Sequence, residues 1–343
     1  MPIHDLTPGF QARFPDPLVT IDSHTAGEPT RLVVDGLPVI PGEDMKAKRE
    51  YFQTNLDHLR CLLTREPRGH RDIFAAVLTE PVSEQAAFGL VYMDPRRYPY
   101  LCGHATMGAV TTMLELGGIQ ALGPDVELTV DTPSGPMSAT AAWDGSRVQG
   151  VIIQTVPSFV YRTDEEIYIP QMDTLLVDTV CVGGFFAMVN IDQLDVTLQD
   201  IGPLISLGME IIFQANHQLQ VAHPTRPEVN SVDVVEFYTL DPSNPLAGQS
   251  VVIYGEAHVD RSPCGTGTAA KLTLLHHLGY LKPGQEYTNQ SPTGTTFQAA
   301  IANTTQIGHL PGVEVQIQGA ASITGRHEFV VDPIDPFPQG FLL

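Results

Sequence analysis

Positive charge is scarce in this chain. Lysine and arginine together number 18 against 39 aspartates and glutamates, for a formal net charge of −21. Such a surface repels nucleic acid and anionic membrane, so neither is an expected partner. The four lysines (Lys46, Lys48, Lys271, Lys282) have no clear glycine-rich phosphate-binding context. A pyridoxal phosphate site is therefore not expected, and no cofactor is inferred. Cysteine is equally sparse: Cys61, Cys102, Cys181 and Cys264 lie far apart and form no CxxC, which speaks against a zinc site or a thioredoxin-like motif. No apolar run is long enough to cross a bilayer. The opening MPIHDLTPGFQARFPDP is mixed in character and does not resemble a signal segment. The expected location is the cytoplasm, where thiols stay reduced.

What is present fits a globular enzyme-sized chain. Its 343 residues are enough for two domains, 43% hydrophobic and 17% charged. Strand-like runs dominate, among them LVTIDSH, RLVVDGLPVI, FGLVYMD, VQGVIIQTV, VDVVEFYTL and SVVIYGEA. Helices are predicted over 43–65, 103–116, 197–216 and 265–278. Strands and helices do not alternate regularly, which favours an α+β fold over a doubly wound sheet. Cys61, in RCLL, and Cys181, after LLVDTV, read as small buried hydrophobes.

The chain also repeats itself. A shift of 162 residues carries LVY at 90–92 onto VIY at 252–254 and Cys102-Gly103 onto Cys264-Gly265. The same shift lays Thr106 on Thr268, Thr111 on Thr273 and Leu116-Gly117 on Leu278-Gly279. Met107, Val110 and Met113 fall on Ala269, Leu272 and Leu275, so the apolar helix faces coincide as well. Each copy reads as strand, loop, Cys-Gly, helix and a terminating glycine.

A cysteine just before a helix sits near unpaired N–H groups at the positive end of the dipole. That setting lowers a thiol from about 8.5 towards neutrality. The small residues that follow, GHAT and GTGT, let backbone N–H groups approach an anion such as a carboxylate. Two such starts face to face make a carboxylate cradle flanked by two thiols. N–H donors on the carboxylate would stabilise the enediolate-like state formed when an α-proton leaves. One sulfur would remove the proton and the other would deliver one to the opposite face.

LCGHATMGAV around Cys102 and DRSPCGTGTAAK around Cys264 resemble the two signature segments of the proline racemase family. IDSHTAGEPTRLVV at 21–34, EPRGHRDIFAA at 66–76 and the PFPQGFLL ending are similar to further family segments. The resemblance implies a diaminopimelate epimerase-like fold: two pseudo-symmetric domains, each with curved sheet around a central helix, and an active site in the cleft. The expected domains are 1–157 with 327–343, carrying Cys102, and 158–326, carrying Cys264. It also implies a homodimer, and domain closure that expels water from a small imino-acid substrate.

By the same resemblance, Cys102 and Cys264 match the catalytic thiols. Gly103, His104, Gly265 and Thr266 match the carboxylate cradle, and His104 and Asp260 match polar residues near the substrate amino group. Phe74, Tyr92 and Tyr254 fall where the family lines its ring pocket. The implied activity is proline racemisation, with 4-hydroxyproline 2-epimerisation as the alternative, since the tyrosine hydroxyls could meet a 4-hydroxyl group. Family members that dehydrate trans-3-hydroxyproline carry Thr at the second cysteine position, and Cys264 argues against that activity. His24 and His70 lie in turn-rich settings and read as structural. Two other classes stay open: a cysteine hydrolase using Cys102, which leaves Cys264 unexplained, and a non-catalytic amino-acid-binding protein that kept the cleft.

Overall fold

Both Cys-Gly segments start helices of 13 residues, and each helix is wrapped by its own half of one continuous sheet. The computed structural model describes residues 6–170 and 172–343, the side chain of Asp173 excepted.

A short helix α1 (Thr7–Arg13) precedes the first half. That half contains β1 (Leu18–Thr25), β2 (Glu28–Asp35), α2 (Met45–Asn55), α3 (Asp57–Thr64), β3 (Ala75–Thr79) and β4 (Ala86–Met93). Next come α4 (Gly103–Glu115), β5 (Asp125–Thr132), β6 (Gly135–Trp143) and β7 (Val148–Gln154). The second half contains β8 (Ser158–Ile169), β9 (Asp173–Val182), β10 (Gly184–Asn190), α5 (Ile201–Gln218), β11 (Val232–Tyr238), β12 (Ala247–Tyr254) and β13 (His258–Val259). It ends with α6 (Gly265–His277), β14 (Glu286–Gln290), β15 (Thr296–Ile307) and β16 (Leu310–Gly319). The chain returns to the first half as β17 (Ala321–Phe329), which pairs along the whole of β1.

Pairing is the same in both halves. The first runs β17–β1–β2–β3–β4–β5–β6–β7, with β2–β3 and β4–β5 parallel. The second runs β8–β9–β10–β11–β12–β14–β15–β16, with β10–β11 and β12–β14 parallel. Strands β7 and β16 join the halves, with Ile153 opposite Ile317. Sheet curvature brings β1, β2, β6, β7 and β17 around α4, and β8, β9, β10, β15 and β16 around α6. Helices buried this way can be apolar on every side, as ATMGAV and AAKLTLL nearly are. One apolar cluster includes Cys102, Met107, Val110, Cys264, Leu272 and Leu275, so both central helices share a core.

Two helix expectations need adjustment. The segment 43–65 is two helices, because Leu56 breaks out at φ −125° and ψ 14° to enter the cluster around Phe52 and Leu63. The segment expected from 197 begins at Ile201, because the Asp200 carboxylate draws the Thr197 N–H and hydroxyl (both 2.8 Å) into a turn ahead of it. The helices at 103 and 265 start where the repeat places them.

Candidate active site

Cys102 and Cys264 are the N-cap residues of α4 and α6. The Ala105 N–H donates to Cys102 Sγ at 3.5 Å, and the Gly267 N–H donates to Cys264 Sγ at 3.3 Å. Thiols take the place of the usual Ser or Asp oxygen at these two helix starts. The two starts abut: a Cβ on Gly265 would lie 3.8 Å from the Gly103 Cα, and one on Gly103 would lie 3.9 Å from the Gly265 Cα. Ile153 and Ile317, paired at the seam, lie beneath the two glycines.

The halves differ in how each thiol is held. Cys102 has an extended backbone (φ −152°), and the ring of His104 lies against its sulfur, with Nδ1 at 3.3 Å. His104 is buried, edge-on to Phe74 at 4.9 Å, and its carbonyl accepts from the Thr25 hydroxyl at 2.8 Å. Burial lowers its pKa to about 3, helped by His258 and Arg261, so the imidazole is neutral. Cys264 instead has φ 57° and ψ 118°, in the left-handed range that non-glycine residues avoid. A clasp fixes it there. Asp260 Oδ1 accepts from the Ser262 N–H and hydroxyl (2.8 and 2.7 Å), and the Ser262 oxygen accepts from the Cys264 N–H at 3.0 Å. Thr266 Oγ1 lies 3.5 Å from Cys264 Sγ.

The expected lowering of the thiol pKa is not what this site gives. Burial raises both thiols well above their ordinary value, outweighing the N–H donors. Asp260 adds to the rise at both sulfurs, Glu28 at Cys102 and Glu236 at Cys264. Asp260 is itself raised to about 7, chiefly by burial and then by Glu28. The Tyr254 phenol is raised by burial and by the charges of Glu28, Asp260, Cys102 and Cys264. Tyr254 and Asp260 thus each feel both sulfurs.

Tyr254 is half-buried and stacks on His258 with ring centroids 4.3 Å apart. It borders a cleft of about 330 Å³ between the halves, with Arg71, Arg96 and Arg97 on one side and Glu256 and His258 on the other. Phe74 packs between His104 and Tyr92. Tyr92 departs from the lining role that the resemblance gives it: it is fully enclosed, and its hydroxyl is spent on Thr106 at 2.6 Å. His24 and His70 accept from the N–H groups of Gly27 and Asp72 and so brace turns. Cys61 and Cys181 are buried, and all four cysteines are free. No three or more metal-ligating side chains cluster among the described residues.

Two acidic residues have no counterpart among the residues expected from the sequence. Glu28 lies inside the HTAGEP segment and is fully buried; it accepts from the Arg261 N–H at 2.8 Å and meets His258 Nε2 at 3.0 Å. Burial raises Glu28 to about 8 and lowers His258 to about 4. Burial thus favours the neutral form of both partners in this contact, which crosses the boundary between the halves. The other is Glu236. The signal for Glu236 was an acidic residue within the β-like run VDVVEFYTL, whereas Glu28 follows the Ala26-Gly27 turn of HTAGEP and carried no such signal.

The family profile described as proline racemase matches residues 20–342. The chain is 39% identical to a proline racemase of Acetoanaerobium sticklandii over 333 residues, covering 96% of this chain and 99% of that protein. It is 34% identical to a trans-3-hydroxy-L-proline dehydratase of Burkholderia ambifaria, covering 95% and 98%. The solved structure of a hydroxyproline epimerase from Agrobacterium vitis, with bound trans-4-OH-L-proline, superposes with a TM-score of 0.88 at 28% identity and covers 96% of each chain. This chain therefore belongs to the proline racemase family, as an amino-acid isomerase with the diaminopimelate epimerase-like α+β fold.

Proposed function

We propose that this protein racemises proline at its α-carbon by proton exchange between Cys102 and Cys264, without a cofactor. The observation that carries the reading is the abutment of the two Cys-Gly helix starts, Gly103 against Gly265, with a thiol capping each. The first N–H groups of the two helices, at residues 103, 104, 265 and 266, would receive the substrate carboxylate. Negative charge that develops on that carboxylate as the α-proton leaves is then met by preorganised donors. One sulfur, as thiolate, takes the α-hydrogen as a proton. The thiol opposite gives its proton to the other face of the carbon, and the enzyme is left with the roles exchanged. Burial keeps both sulfurs protonated at rest, so a cationic substrate amine is what favours the thiolate. Asp260 and His104 would face that amine.

The second reading, 4-hydroxyproline 2-epimerase by the same chemistry, draws support from Tyr254, whose phenol feels the charge of both sulfurs, although the cleft that Tyr254 borders is lined by neither thiol. The Agrobacterium vitis relative, whose structure holds trans-4-OH-L-proline, points the same way.

The test is incubation with L-proline or trans-4-hydroxy-L-proline in D₂O, following the α-proton by NMR together with optical rotation. Exchange with inversion is expected, the faster substrate naming the activity. Cys102→Ser and Cys264→Ser should each slow inversion by about 10²–10⁴-fold. Wild-type turnover in both variants would end the two-thiol reading.

A further inference from the structure

The two halves are not equal behind their thiols. Val252 of β12 lies opposite Glu236 of β11. Its counterpart in the repeat, Leu90 of β4, lies opposite Leu78 of β3. On the helices, Lys271 of α6 stands where α4 has Ala109. A buried acid and a buried base thus replace Leu78 and Ala109 in the second half, and both are wholly enclosed.

The surrounding backbone is adapted to them. A Cβ on Gly267 would lie 2.8 Å from Val252 Cγ2 and 2.9 Å from Glu236 Oε2, and one on Gly248 would lie 2.5 Å from the Tyr287 hydroxyl and 2.7 Å from Lys271 Nζ. The repeat has Ala105 and Ala86 at the corresponding positions. Two charges and two glycines that make room for them therefore depart from the repeat together. Neither oxygen of Glu236 has a well-formed hydrogen bond, and the one hydroxyl that faces the carboxylate and favours its charged form is that of Ser250 on β12. Lys271 donates to the Gln249 carbonyl at 3.0 Å and lies between the rings of Tyr238 and Tyr287. A carboxylate buried with so few partners is costly and is not needed to fill space, since leucine stands at the matching place in the first half.

Its position gives it a use. Gly267 supplies the N–H that binds Cys264 Sγ, and the same added Cβ would meet Cys264 Cβ at 3.2 Å. The carboxylate and the thiol-bearing carbon flank one glycine. We propose that Glu236, backed by Lys271, is a positioning residue that makes the two thiols unequal, so that its negative charge holds the proton on Cys264. Behind the Cys102 helix the matching place is taken by Leu78, and the further acid that acts on Cys102, Glu28, comes from β2 and not from the repeat position of Glu236.

The groups acting on Cys264 are Asp260, Thr266 and Glu236, and Cys264 in turn acts on Tyr254. Those acting with Glu236 are Lys271 from α6, the Ser250 hydroxyl from β12, Asp260 from the loop before α6, Tyr238 from its own strand and Tyr287 from β14. Burial raises Glu236 and lowers Lys271, while the charge of each opposes that effect on the other.

The inference rests on the two-thiol reading, but its test needs no turnover. Iodoacetamide alkylation of Cys102 and Cys264 is followed separately by peptide mass spectrometry across pH, in the full-length protein. In Glu236→Gln, alkylation of Cys264 below its midpoint should speed up about tenfold, as its midpoint moves down by about one pH unit. Cys102 should stay within about twofold. The double variant Glu236→Leu with Lys271→Ala, which copies the first half, should behave the same way and decides the matter if the single variant does not fold. An unmoved Cys264 profile, equal movement at both thiols, or failure of both variants to fold would overturn the proposal. Failure of the two-thiol reading would show instead as inversion that survives loss of the cysteines.

Discussion

Gly103 and Gly265 meet at the centre of the molecule so closely that a methyl on Gly265 would lie 3.8 Å from the Gly103 Cα. In the proposed reaction a carboxylate would lie against the backbone of these two residues, where neither contributes a side chain. Gly103→Ala and Gly265→Ala should each lower kcat/KM at least about tenfold by screening the N–H groups. The first should also destabilise by about 1–3 kcal/mol, because its methyl would lie 2.9 Å from Ile153 Cδ1. Steady-state kinetics and urea denaturation check the two parts separately.

Tyr92 offers a control on specificity. Its hydroxyl is bonded to Thr106 and its side chain is fully enclosed. Tyr92→Phe should leave the ratio of kcat/KM for proline and 4-hydroxyproline within about twofold and cost about 1 kcal/mol of stability. A large change in that ratio would place the hydroxyl at the substrate.

Two histidines work against stability in acid, opposed by the raised carboxyls of Glu28 and Asp260. Burial holds His104 at about 3 and His258 at about 4, against an ordinary 6.5. Both are neutral in the folded protein while the unfolded chain takes up protons below 6.5. Their contribution is complete above that value and is lost as pH falls towards 3–4. His258→Gln removes one of these losses, so between pH 7 and 4 its urea midpoint should fall less, or rise more, than that of wild type.

Glu28 works in the opposite direction. Its folded pKa of about 8 lies above the ordinary 4.5, so the unfolded chain releases its proton first as pH rises. The contribution is complete below 4.5 and is lost between there and about 8. Glu28→Gln keeps an acceptor for the Arg261 N–H, so its stability should vary less across that window than wild type. Urea midpoints at pH 5 and 8 measure the difference.

Much of this was legible in the sequence because the internal repeat is regular where it matters. Cys102 and Cys264, with the glycines after them, mark both helix starts to the residue. The pairing of those starts across the molecule follows from the repeat. The balance of forces at the sulfurs does not. Helix-start donors favour the thiolate and burial opposes it, and only the degree of enclosure decides between them. Glu28 and Glu236 were invisible for a related reason: a strand residue's side chain faces core or solvent according to register, and an acid in a β run ordinarily faces solvent. Leu56 shows the same limit in a helix, where tertiary burial outweighed a continuous helical pattern.

The return of β17 to β1 has a cost for biogenesis. Leu18 is paired with Phe329, so the earliest strand waits for nearly the last one before its open edge is covered. On the ribosome the amino-terminal half is an unclosed sheet for most of synthesis, and its exposed edge invites pairing with neighbouring nascent chains. Truncation before Ala321 removes a stave from the barrel around the Cys102 helix while leaving the strands around the Cys264 helix intact.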